Sequence, residues 1–400
     1  NGLNGSLEIE SAIYLHMKRR NFFRSLALGG ASVAFSPIVK AAPSAQAVKE
    51  KPATNIKDAL AIPRNENSMP GKYPGKVVKA THPGCIVDGQ PSEEAAYEML
   101  RNCLLNLTGK ENLKEAWLQF VGPDDVIGLK VNPIAGKLLS TSHALTQSII
   151  NQLEEAGISR KNIVIWDRRE ADLKESGFTP ENYPDIRIIG TEYTDENGSY
   201  INAEGKFYGE ERIDKEHYYF VDLEGEYDAY TMPFMINGGK YSYFTKICTE
   251  MVTKIINVPV LKNAGTTITS CMKNLAFGSI TNTARLHGPM WHDTCASACA
   301  FPPLRDKVVL NITDGMIGCF DGGPAANPQF ICHYNTILAG SDPVAVDRIG
   351  YDMVIAKRIE EGVQEEEKAG ARAFMDMAQE FKLGVADKEK IELVEIDLQA

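Results

Sequence analysis

No Cys-x-x-Cys pair occurs in this chain of 400 residues, although it carries eight cysteines. An added ferredoxin-type cluster domain, which holds iron through such closely spaced thiols, is therefore absent. Long hydrophobic runs are lacking too. The run from Leu26 to Val39 is mild and diluted by Gly29, Gly30, Ser32 and Ser36, whereas a membrane-spanning helix needs about 20 apolar residues. Positive charge is outweighed: 42 Lys and Arg stand against 53 Asp and Glu, a formal net charge of −11 with pI near 5.3. That balance argues against nucleic acid or an anionic membrane face as partner, since both attract clustered cations. No internal repeat is evident.

What is present is an ordinary globular composition, 44% hydrophobic and 24% charged. A core of this scale stands without disulfides or metal. The cysteines Cys85, Cys103, Cys248, Cys271, Cys295, Cys299, Cys319 and Cys332 are scattered, unlike those of a small disulfide scaffold.

The N-terminal stretch carries the strongest functional signal. Arg19-Arg20 precedes Phe22-Phe23 and the short apolar run, and small-residue sites follow at Val39-Lys40-Ala41 and Ala45-Gln46-Ala47. A charged front, apolar middle and small-residue end make an export signal, and the arginine pair resembles the twin-arginine type. Residues 1–16, upstream of Met17, are expected to lie outside the native protein, with 17–47 as the signal and 48–75 as a linker. The expected location is periplasmic or otherwise extracytoplasmic, with the twin-arginine machinery as a partner and no stable membrane span after cleavage.

From residue 76 onward, apolar runs alternate with helical patterns. Val126–Val131 reads as a buried strand. In Ser142–Ala156 the residues Leu145, Ile149 and Leu153 recur at helical spacing, and Gly157 supplies a stop. Ile163–Asp167 reads as a second strand, so the three form a βαβ unit with parallel strands. Residues 191–244 are turn-rich and tyrosine-rich and are expected to form a β insertion. Strands are predicted again at Lys254–Leu261, Lys307–Ile312, Thr336–Ala339 and Ile391–Ile396. Helices are predicted over Thr266–Phe277, from Ser341-Asp342-Pro343 to Glu361, and over Ala371–Phe381. The predicted fold class is α/β: a mostly parallel sheet flanked by helices, with a β-rich insertion in a domain spanning 76–400.

In open parallel sheets, ligands bind beyond the carboxyl ends of the strands. The residues that follow the predicted strands are Lys130 and Asn132, then Asp167, then Lys262, then Asp314. Thr266 to Asn274 sit at or near a predicted helix start, where Lys273 and free N–H groups would hold an anion. Ordinary capping by Thr and Ser is the alternative. Cys295 and Cys299 share a helix face with His292, and His287 or Asp293 would complete a metal site. Buried structural thiols and a disulfide are the competing readings. Asp314 to Pro324 is a glycine-rich loop in which Gly322 and Gly323 would admit close approach of a ligand.

Asp125–Pro133, Val258–Lys262, Met272–Leu275 with Gly278, Ile312–Gly315 with Gly322-Gly323-Pro324, and Ala339–Asp347 together resemble the domain of unknown function 362 family. Members are often labelled iron–sulfur proteins, so the resemblance implies a metal ion or an iron–sulfur cluster. The ferredoxin-like cysteine motifs that accompany that label are absent here. The family's lysine-then-histidine after the third strand reads Lys262-Asn263. The expectation is an exported, cofactor- or metal-dependent enzyme, plausibly redox, acting on a small anionic or polar substrate. Lys130, Lys262 and Lys273, with Asn132 and Asn274, would bind substrate; Asp167, Asp314 or Asp347 would move protons. A non-catalytic binding or metal-carrier protein, or a redox-complex subunit, is the alternative.

Overall fold

The computed structural model describes residues 51–224 and 239–399. The predicted signal and the residues before it lie outside that range. Short apolar runs build one sheet of eleven strands: β1 (Lys76–Thr81), β2 (Ile127–Lys130), β3 (Ile163–Arg169), β4 (Arg187–Glu192), β5 (Lys254–Asn257), β6 (Val260–Ala264), β7 (Thr267–Thr269), β8 (Val308–Cys319), β9 (Ile331–Cys332), β10 (Thr336–Gly340) and β11 (Glu392–Asp397). The main path runs β11-β1-β10-β8-β5-β2-β3-β4. Along it β10 runs antiparallel to both neighbours, β1 and β8, and the remaining pairs are parallel. Beside the path, β6 pairs with β8 in parallel, and β7 and β9 add short antiparallel pairings. The fold is α/β, as the sequence predicts.

Strand composition explains why both faces are covered. In β3, Ile163 and Ile165 join one core cluster while Val164 and Trp166 join another. A strand apolar on alternate sides cannot face water, so helices pack on each. On one face lie α1 (Glu93–Thr108) and α2 (His143–Glu155), which contribute Leu100, Leu104, Leu145 and Ile149. On the other lie α3 (Cys271–Ser279), α4 (Trp291–Cys299), α5 (Pro343–Glu360) and α6 (Ala373–Glu380), with Leu275, Ala296, Val344 and Phe374. Full burial of a side chain such as Ile149 contributes about 1.5–3 kcal/mol.

Local signals set the helix ends. Ser142 accepts from Leu145 N and opens α2, and Gly157 follows with φ of 98°. Asp342 accepts from Val344 and Ala345 and opens α5 just before Pro343. Three predicted elements shift. The single strand expected over Lys254–Leu261 divides at Val258-Pro259 into β5 and β6, which have different neighbours. Thr267–Thr269 forms a hairpin with β6 instead of helix, so α3 begins only at Cys271. The glycine-rich stretch after Asp314 is strand as far as Cys319, because β6 and β10 both pair with it.

Within 191–244, Ile213–Phe220 pairs antiparallel with Tyr241–Thr245. Residues 52–75 lie along the body: Met69 N donates to Arg305 O at 2.7 Å and Tyr73 N to Ser341 Oγ at 2.9 Å. Among the described residues no helix is long and apolar enough to cross a membrane.

Candidate active site at the carboxyl edge of the sheet

Lys130 ends β2 with its side chain wholly buried, and Asp167 stands beside it on β3. The two form a buried ion pair. Lys130 Nζ also donates to Val131 O at 3.0 Å and to Asn274 Oδ1 at 3.1 Å. Asn274, on α3, is the hub. Its Oδ1 accepts from Asn132 Nδ2 at 3.0 Å, and its Nδ2 donates to Asn257 Oδ1 at 2.8 Å. Asn257 Nδ2 then donates to Asn311 Oδ1 at 2.9 Å, and Asn311 Nδ2 to Ser341 O at 3.2 Å. A chain of buried amides thus crosses β2, β5 and β8. Each member is satisfied by the next, which is the condition for burying polar groups in a core.

Lys262, on β6, meets this chain from the other side. Its Nζ donates to Asn132 Oδ1 at 2.8 Å and lies 3.5 Å from Leu139 O. The residue is fully buried, and no carboxylate pairs with its amine among the described residues. Burial pushes its pKa down to about 7, with the nearby Lys273 cation acting in the same direction.

Lys273, on α3, is 7% exposed. Its Nζ sits 3.8 Å from the centroid of the Phe277 ring and 3.3 Å from His287 Nε2. It too lacks an ion-pair partner among the described residues. Burial, and after it the charges of Arg168 and Lys130, push it down to about 8, against the pull of Cys295 and Asp167. His287 Nδ1 lies 2.8 Å from Thr283 O, so that nitrogen carries the proton and Nε2 accepts from Lys273. Loss of solvent around the ring, then the Lys273 charge, hold His287 far below the usual histidine range.

The predicted acids separate into distinct settings. Asp167 faces Lys130 at the sheet edge. Asp314 accepts from Ser142 N at 2.9 Å and Met316 N at 3.2 Å, and burial raises its pKa. Asp347 lies under α3, where Oδ1 accepts from Cys271 N at 2.6 Å and Oδ2 from Met272 N at 2.9 Å. Burial pushes it up to about 6 even so. Both of its oxygens are committed to the helix start, so Asp347 anchors α3 and does not face Lys130. Gly322 and Gly323 approach the chain itself: a Cβ on Gly323 would overlap the carbonyl oxygen of Asn263.

The expected metal cluster is not assembled. Among the described residues no three His, Cys, Asp or Glu side chains are grouped to hold a metal ion. His287 turns to Lys273 and Thr283. His292 stacks against Phe374, its ring centroid 6.1 Å away. Cys299 Sγ points to Met272 O at 3.7 Å. Burial raises the Cys295 and Cys299 thiols well above their ordinary pKa, and a thiol held protonated is a poor ligand. All eight cysteines are free, so the disulfide alternative is not formed either. This donor set does not fit a metal ion or an iron–sulfur cluster, which needs several convergent thiolates.

Sequence reasoning assigns no role to the amides Asn257 and Asn311. The signal for the amides was there: each is a lone Asn within or at the end of an apolar strand, and such a group demands a buried partner.

The class defined by this architecture is an α/β protein with a polar cluster at the carboxyl edge of its sheet. The chain belongs to a family described as "Domain of unknown function (DUF362)", whose model matches residues 127–352. A crystal structure of a protein from Thermotoga maritima, a structural genomics target, is similar at 10% identity with a TM-score of 0.37. That match covers 66% of this chain and 59% of the other. No curated protein matches the chain.

Proposed function

We propose that the chain is an exported enzyme acting on a small anionic or polar molecule held at the carboxyl edge of the sheet. The observation that carries the reading is the pair of buried amines, Lys262 and Lys273, neither with an ion-pair partner among the described residues. An uncompensated buried cation is costly, and a bound anion supplies the missing charge. Asp167, held by Lys130, is the carboxylate at the same edge and serves proton transfer. Lys262, Lys273, Asp314 and His287 all depart from their ordinary pKa, which favours catalysis over a plain binding pocket. No metal or cluster enters the reading, because the donor set does not fit one.

Export is supported by the Arg19-Arg20 pair ahead of its short apolar run. The twin-arginine route carries folded clients.

The test is thermal unfolding with acetate, glycolate or phosphate. A ligand that binds only the folded state raises its stability by about 2.7 kcal/mol at one hundred times its Kd. At least one anion is expected to raise the Tm of the wild type, with the shift reduced in Lys273→Gln and in Lys262→Gln. Equal shifts in all three proteins, or none in the wild type, would overturn the reading.

A further inference from the structure

We infer that Lys262 is the nucleophile of an imine-forming site whose substrate is a short 2-oxo acid. The inference rests on the anion-binding reading above and adds a covalent step to it. Lys262 Nζ has one close partner, Asn132 Oδ1 at 2.8 Å, with Leu139 O farther off at 3.5 Å. Both are neutral acceptors. Asn132 is itself fixed, since its Nδ2 donates to Asn274 Oδ1, which Lys130 also contacts. With one N–H tied to Asn132, the amine's lone pair is turned away from the amide and is available to an electrophile.

A lysine becomes a nucleophile when it is desolvated or set beside another cation. Lys262 meets the first condition: it is fully buried, and its amine meets only neutral acceptors. Burial also pushes it down to about 7, so a large share is neutral near neutral pH. An electrophile for an amine is a carbonyl carbon. Lys273, the second uncompensated amine, calls for a carboxylate. A carbonyl next to a carboxylate is a 2-oxo acid.

In the step, the Nζ lone pair forms a bond to the carbonyl carbon and the C=O π pair moves to oxygen. The oxygen gains a proton as the nitrogen loses one. After that oxygen takes a second proton the C–O bond breaks and water leaves; C=N forms as the nitrogen gives up its remaining proton, returning the one supplied. The balance is amine plus carbonyl giving imine plus water, with no oxidant or reductant. Proton transfer is assigned to Asp167, which pairs with Lys130 and is joined to Lys262 through Asn274 and Asn132. The turn Gly136–Leu139 reaches the amine through Leu139 O and carries the exposed Leu138. It is the segment that must yield to admit the substrate.

The experiment incubates the full chain with glyoxylate and cyanoborohydride, then maps modified lysines by digestion and mass spectrometry. Glycolate, which replaces the carbonyl by an alcohol, is the parallel ligand in thermal unfolding. The expected result is one reduced adduct per chain, at Lys262, formed faster as pH rises through about 7 and absent from Lys262→Arg. Because the mapping is done on the wild type, the result stands whether or not the variant folds. Adducts spread over surface lysines, or none at Lys262, would overturn the imine. If glycolate and glyoxylate then stabilise the protein equally, the anion site survives without covalent chemistry. If neither stabilises it, the anion reading falls too.

Discussion

The amine of Lys130 occupies the space that a side chain on Gly278 would need: a Cβ there would come within 2.5 Å of Nζ. The glycine lies in the last turn of α3, so the helix that carries Asn274 also leaves room for the ion pair that Asn274 steadies.

Gly278→Ala is therefore expected to force Lys130 away from Asp167. Breaking a buried pair costs about 3–5 kcal/mol. Gly288→Ala, where no atom lies within 4 Å of the added carbon, is expected to change stability by less than about 0.5 kcal/mol. Urea unfolding of the two variants checks the contrast; equal small effects would show that the Lys130 pocket tolerates a methyl group.

Asp347 is expected to matter through α3. Asp347→Ala leaves the N–H groups of Cys271 and Met272 without their acceptor, at a cost of about 2–4 kcal/mol. Asp347→Asn keeps one oxygen acceptor and should cost less. If both variants unfold at the wild-type urea midpoint, the anchoring role is wrong.

The pH dependence of stability follows from Lys262. Its pKa is about 7 in the fold and 10.5 as the ordinary value. Between those values the unfolded chain binds more protons than the folded one, so stability rises with pH across that window. Integrated over the whole window, the gain from this residue is about 5 kcal/mol. Lys262→Met should remove that slope and gain stability at pH 7. Denaturant midpoints from pH 7 to 10 that run parallel in the two proteins would contradict the lowered amine.

Export is expected to depend on the arginine pair. Replacing Arg19 and Arg20 together with Lys should leave unprocessed precursor in the cytoplasm, as seen by fractionation and immunoblot. Unimpaired export of that double variant would contradict the twin-arginine route.

Much of the architecture was legible because strands buried on both faces read as unbroken apolar runs, as in Ile163-Val164-Ile165-Trp166. Strand direction was not: nothing in Thr336–Gly340 distinguishes its antiparallel course from its neighbours'. The strand-end rule pointed to Lys130, Asn132, Asp167 and Lys262, which the fold brings together. It pointed equally to Asp314, whose oxygens the backbone occupies. The role of Asn274 as hub was hidden, since its bond to Lys130 joins residues 144 apart in sequence. Gly278 enters the sequence reading beside Met272–Leu275 in the family resemblance, and only the packing shows that its missing side chain houses an amine. The cysteine and histidine spacing fitted a metal site on one helix face. The fold turns those side chains to separate partners, which spacing alone does not reveal.

The most direct test of two uncompensated amines at one sheet edge is NMR of the protein with 13C at lysine Cε, titrated with and without glycolate. The account predicts two lysines titrating near 7 and 8, assigned by loss of each signal in Lys262→Gln and Lys273→Gln, and both moving upward when the anion binds. Every lysine titrating near its ordinary value of about 10.4, with no response to the anion, would contradict it.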